Sequence, residues 1–150
     1  GDAAGAAAAF AELLPILEQV LGAEHPNTLT TRNNLAFWRG AAGDAAGAAA
    51  ALAELLPIRE RVLGAEHPDT LATRNNLAHW LGRAGDAAGA AAAFAELLPI
   101  LERVLGPEHP NILRARSNLA RWRGEGIRRA RPPPSRSYPD PGAVDEALPR

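Results

Sequence analysis

One hundred and fifty residues, at about 100 to 200 per domain, hold one compact domain or one short repeat array and exclude a multidomain enzyme. The 16 basic residues are all Arg, and against 17 acidic ones they leave a net charge of -1, too balanced for a general binder of nucleic acid. With no Cys there is no disulfide, thiolate metal site or cysteine nucleophile, and four His carry all the imidazole chemistry available.

The apolar content is mostly methyl groups, with 34 Ala and 20 Leu, so any core is thin and its helices lie close together. Gly, Glu and Pro interrupt the apolar runs short of the roughly 18 residues of a membrane span, so no membrane is expected. The chain starts at Gly1 with no Met, charged segment or apolar leader; it reads as an excised fragment, expected in the cytoplasm.

Residues 1–42, 43–84 and 85–126 align without a gap, matching at 34 of 42 positions between the first two units and 30 of 42 between the second and third. A fixed period of about 20 to 50 residues marks a solenoid, propeller or array. The first unit predicts a long helix over residues 2–21, and the middle unit shows the pattern best. Leu52, Leu55, Leu56, Val62 and Leu63 fall at helical spacings behind an Ala-rich first half, so residues 44–63 form a helix. Asp44 serves as its N-cap, and Gly64 tolerates the left-handed conformation at its end. Residues 65–68 make a turn, and Asp69 or Thr70 caps a second helix through Leu71, Leu77, Trp80 and Leu81 that stops near Gly82 and Gly85. The third unit ends with a shorter helix at about residues 111–123, giving six helices and no strand. Each unit is then an antiparallel pair of about 20 and 13 residues. Pro15, Pro57 and Pro99 interrupt the long helices, where proline removes one ladder bond; a kink is expected at each.

From Glu125 the repeat gives way to EGIRRARPPPSRSYPDPGAVDEALPR, with six Pro and five Arg. This stretch is expected to be an extended linker, polyproline-like at residues 132–134, with one helical turn at most at 144–148.

Leu63-Gly64, His67-Pro68, Asn75-Asn76-Leu77-Ala78, Gly85-Asp86 and Ala90, with Phe94 at the place of a second-helix aromatic, resemble the tetratricopeptide repeat in its 42-residue, kinesin light chain-like variety. The resemblance covers residues 1 to about 126 and recurs three times. It implies an all-α, right-handed superhelical solenoid whose shorter helices line a concave groove, and a protein that binds a peptide or protein partner without catalysis or cofactor. The sequence departs from that pattern at Arg74, Ala87 and Leu97. The all-Arg, Ala-rich composition suggests a high-GC bacterial genome, and related bacterial arrays are often the sensor part of larger signalling ATPases. A structural spacer or self-assembling rod is the alternative, because neither end carries a polar capping helix and uncapped ends are expected to associate end to end.

Comparing the units separates framework from variation. Leu35, Leu77 and Leu119, Ala36, Ala78 and Ala120, Trp38, Trp80 and Trp122, and the Glu-His-Pro turns are constant. Thr30, Ala72 and Arg114; Asn33, Asn75 and Ser117; Phe37, His79 and Arg121; and Ala41, Arg83 and Glu125 vary. On the shorter helix these are spaced by three or four and form one stripe. With Asn34, Asn76 and Asn118, whose amides offer both donor and acceptor, they are the candidate wall of a peptide groove; drift at solvent-facing positions is the alternative. Arg114, Arg116, Arg121 and Arg123 make the third unit suited to an acidic peptide or C-terminal carboxylate, although Arg near a helix end also serves the helix dipole.

His25, His67 and His109 recur through duplication, in turns separated by at least an interhelical spacing of roughly 8 to 10 Å, so a shared metal is not expected. The recurring Asp44, Asp86, Glu54 and Glu96 read as caps and solvated faces, since near-identical repeats do not supply the unlike environments of an acid–base pair. Without Lys, the GDAAGA string cannot be a Walker-type phosphate loop. The three Trp with Phe10 and Phe94 read as core packing between units.

Overall fold

In the computed structural model, residues 1–131 are described. They form six helices and, among those residues, no strand: α1 (Ala3–Leu21), α2 (Pro26–Ala41), α3 (Ala45–Leu63), α4 (Pro68–Arg83), α5 (Ala87–Leu105) and α6 (Pro110–Ala130). The long helices α1, α3 and α5 start the same way. Asp2, Asp44 and Asp86 are N-caps whose Oδ1 accepts from the backbone N–H of Gly5, Gly47 and Gly89 at 2.7–2.8 Å. The glycine is needed there because a Cβ would overlap the capping carboxylate. Each long helix ends at a glycine with positive φ, at Gly22, Gly64 and Gly106, and runs unbroken through Pro15, Pro57 or Pro99.

The shorter helices begin earlier than the sequence suggested. His25, His67 and His109 are their N-caps, and each Nδ1 accepts from the N–H two residues on at 3.1–3.2 Å, with Pro in the first helical position. Asp69, expected as a cap, instead lies in the first turn, because the imidazole nitrogen takes the place of a carboxylate and proline needs no donor partner there. Among the described residues no three His, Asp or Glu approach as metal ligands would.

A second difference lies at the last helix. After α2 and α4 the chain reverses through Gly43 (φ +116°) and Gly85 (φ +108°), followed by the capping Asp. One period later stand Ile127 and Arg128. A β-branched residue resists that conformation and Arg caps nothing, so α6 continues to Ala130 and residues 125–130 are helical, not linker. The expectations for residues 132–134 and 144–148 lie outside the described residues.

Consecutive helices pack on one another; α2 also touches α4, and α4 touches α6, whereas the long helices do not meet. The shorter helices are therefore the crowded inner layer of a curved stack. One core joins α2, α3 and α4 around Leu29, Ala36, Leu52, Leu55 and Trp80; the next joins α4, α5 and α6 around Leu71, Ala78, Phe94, Leu97 and Trp122. Trp80 lies against Gly40, where an added Cβ would fall 2.6 Å from the indole, and Trp122 lies against Gly82 in the same way. Helix α1 has no buried residue. By length and composition it alone of the six could cross a membrane, but its near-copies α3 and α5 are packed core helices.

Candidate ligand-binding groove

The variable stripe lies along the inner layer, but its members do different work. Asn33 is 8% exposed, and its Oδ1 accepts from Thr73 Oγ1 at 3.3 Å and from Asn76 Nδ2 at 3.5 Å. It ties α2 to α4 and is not offered to a ligand, a correction to its expected place in the groove wall. Thr30 is exposed, and its Oγ1 accepts from Arg59 at 3.1 Å. Asn34 and Asn118 are half-buried, while Arg83 and Ser117 are exposed.

Around the tryptophans the stripe becomes aromatic and cationic. Phe37, 37% exposed, meets Trp38 and Trp80 edge-on at 5.5 and 5.8 Å, and His79 meets Trp80 edge-on at 4.8 Å. The Arg121 guanidinium stands 4.7 Å over Trp122, a cation–π contact, with Glu125 at 3.5 Å. Burial, with Arg83 and Arg121 nearby, holds His79 below the ordinary imidazole range.

The two junctions between units differ most at one residue of the long helix. Arg59 is only 2% exposed and runs between α2, α3 and α4. It donates to the Asp69 carbonyl at 2.7 Å, to Thr73 Oγ1 at 2.8 Å and to Thr30 Oγ1 at 3.1 Å. Burial lowers its pKa and Asp69 opposes that, but a guanidinium stays charged at neutral pH. At the second junction all three side chains are truncated together: Leu101 stands for Arg59, Ala72 for Thr30 and Ala115 for Thr73.

What Arg59 occupies at the first junction is open at the second. A cleft of about 220 Å³ lies between α4, α5 and α6, with Leu71, Leu101, Val104 and Leu105 as its apolar wall and Asn75, Asn76, Asn111 and Arg114 as its polar side. Ala72 and Pro68 complete it. The structure thus brings together Ala72, Asn75, Asn76 and Arg114 of the expected groove residues. It adds Asn111 and the α5 leucines, which comparison of the shorter helices alone misses. The available signal was the joint change of Thr30, Arg59 and Thr73 to Ala72, Leu101 and Ala115 in one step of the repeat.

The sequence model of the tetratricopeptide repeat matches residues 28–69 and 70–111. The chain belongs to the tetratricopeptide repeat family. Among solved structures it is similar to the nearly identical TPR-like repeats of a kinesin light chain-like protein from Podosopora anserina, with a TM-score of 0.78 and 27% identity over 85% of this chain and 60% of that one. A single-substitution variant of that protein gives a TM-score of 0.75 and 28% identity over 81% and 57%. This tetratricopeptide repeat chain thus spans about three fifths of the length of those structures. No curated protein matches it. Tetratricopeptide repeats generally mediate protein–protein interaction, and the family is generally a non-enzymatic scaffold.

Proposed function

We propose that this tetratricopeptide repeat array is a protein-interaction module that holds a peptide segment along its shorter helices, anchored in the cleft at the second junction. The observation that carries this is the contrast between an Arg59-filled first junction and an open second one within near-identical repeats. The cleft suits an aliphatic side chain next to a carboxylate. Leucines and Val104 remove the apolar part from water, Arg114 offers a planar pair of donors, and Asn75, Asn76 and Asn111 supply amides for a peptide backbone. Phe37, His79 and Arg121 extend the same inner surface toward the tryptophans.

The test uses a displayed library of random peptides selected on the folded chain and on an Ala72→Thr/Leu101→Arg/Ala115→Thr variant, which moves the side chains of the first junction into the second. Selected peptides should share an apolar residue beside an acidic group. They should lose binding to the plugged variant, whose circular dichroism stays unchanged, and lose the acidic preference on Arg114→Glu. Failure to select any peptide, or equal binding to the plugged variant, refutes the proposal.

A further inference from the structure

Beyond the cleft, where α4 touches α6, the inner surface carries a second cluster. His79 and Arg83, one turn apart, share a face of α4, and Arg121 stands one repeat period from His79 on α6. His79 is half-buried against the edge of Trp80 at 4.8 Å, while Arg83 and Arg121 are exposed. Both guanidinium charges reach the imidazole, since each lowers its affinity for a proton. Arg121 is steadied over the Trp122 ring at 4.7 Å, with Glu125 at 3.5 Å from its Nε, which leaves the two Nη ends of the fork for a ligand.

The surrounding charges select the ligand. Arg61, Arg74, Arg103 and Arg116 each pair with a glutamate, whereas among the described residues Arg83 pairs with none. The helices packed around α4 hold their other charges elsewhere. On α3, Arg59 binds the Asp69 carbonyl and Glu60 binds Arg74; on α5, Glu102 and Arg103 are engaged by Arg116 and Glu66. Glu96 is the counterpart of Glu54, which lines a pocket between α1, α2 and α3 together with Arg32 and Arg39. From α2 the uncharged Phe37 ring meets Trp80. With Glu125 offsetting one guanidinium, Arg83 and Arg121 leave a single net positive charge while His79 is neutral. That suits one carboxylate better than a phosphate dianion.

Arg114 of the cleft and Arg121 are seven residues apart on α6, about 10.5 Å along the helix, and an extended peptide covers about 3.3 Å per residue. We infer that His79, Arg83 and Arg121 form a carboxylate subsite for an acidic side chain about three residues from the one anchored in the cleft, and that filling it draws a proton onto His79. The spacing rests on the groove reading above; the carboxylate site does not. Burial and the two guanidiniums disfavour the His79 cation in the free chain, and a carboxylate placed among them favours it. Binding therefore takes up a proton. Affinity rises as pH falls through the window between the bound and free His79 midpoints, by up to about tenfold per unit of separation.

Magnetic resonance titration of the four imidazoles tests the subsite independently of the cleft. Glutarate, compared with sodium chloride at equal ionic strength, should raise the His79 midpoint by roughly one unit and leave His25, His67 and His109 in place. Arg121→Gln, an exposed change checked by circular dichroism, should abolish that shift. A His79 midpoint that glutarate does not move, or moves equally in the variant, overturns the inference. The spacing is read with synthetic Ser-Gly peptides carrying a Leu-Asp pair and one Glu at increasing distance on either side. The tightest should hold Glu about three residues from the Leu and gain affinity as pH falls through the His79 window, a gain that His79→Gln removes. Peptides that bind without regard to the Glu position, or without pH dependence, overturn the inference and leave the cleft reading standing. A glutarate shift with no peptide bound supports the carboxylate site and removes the cleft reading.

Discussion

Replacing Arg59 by Leu gives the first junction the side chain that stands at the same place in the other two units, Leu17 and Leu101. The loss comprises three hydrogen bonds from a charged donor, to Asp69, Thr73 and Thr30. At about 1.5 to 3 kcal/mol each, these sum to a gross loss of roughly 4 to 9 kcal/mol. Against this stands the desolvation of a buried guanidinium, several kcal/mol, and the burial of a leucine side chain, about 2 kcal/mol. No donor is orphaned, because the single Thr73 hydroxyl hydrogen still has an acceptor in the Asp69 carbonyl at 3.1 Å or Asn33 Oδ1 at 3.3 Å, Asn33 Oδ1 also accepts from Asn76, and Thr30 faces solvent. The net change is therefore within about 2 kcal/mol of zero, as for other buried ions replaced by apolar groups. Urea unfolding followed by circular dichroism measures it, and the variant should also acquire a cleft at the first junction. A loss above about 4 kcal/mol would falsify the reasoning: the buried cation would then be an indispensable strut, not a plug.

Gly82→Ala drives a Cβ into Trp122 and should cost about 1 to 3 kcal/mol, whereas Gly124→Ala meets nothing and, mid-helix, should stabilise by up to about 1 kcal/mol; equal effects in thermal unfolding contradict the packing account. Asn33→Ala removes the acceptor shared by Thr73 and Asn76 and should destabilise by about 1 to 2 kcal/mol. Groove variants for binding assays should accordingly change Asn75 and Asn76 and leave Asn33 in place; a fully stable Asn33→Ala protein would undercut this assignment. Asp44→Ala removes an N-cap and should cost about 1 kcal/mol, read from urea midpoints. Because His79 titrates lower when folded, the unfolded chain binds its proton first. Its contribution is complete above the ordinary value of about 6.5 and declines as pH falls below it toward the folded value. A His79→Gln chain should lack that part of the decline, and superimposable stability–pH curves for the two proteins would refute it.

The repeat, the six helices and their pairing were legible in the amino-acid order alone. Those features rest on short-range chemistry: an Asp beside a Gly that gives its N–H room to cap, Ala-rich runs, and glycines where the backbone must reverse. The same order held the reason α6 does not stop, since Ile127 and Arg128 stand where Gly-Asp turns the other units. The cap at His67 was equally local, but the expectation fell on Asp69 or Thr70, two and three residues further on. Which polar residues face a ligand was settled by the stacking of the helices and by nothing more local. Thr30, Arg59 and Thr73 lie on three helices, and their meeting depends on how α2, α3 and α4 stack. Asn33 and Asn75 occupy equivalent positions in near-identical units, yet one binds Thr73 across a junction and the other lines the cleft, where Ala115 has no hydroxyl to give. A helical period places both on the same stripe; the side chain opposite, supplied by a different part of the chain, sets whether that stripe is filled or open.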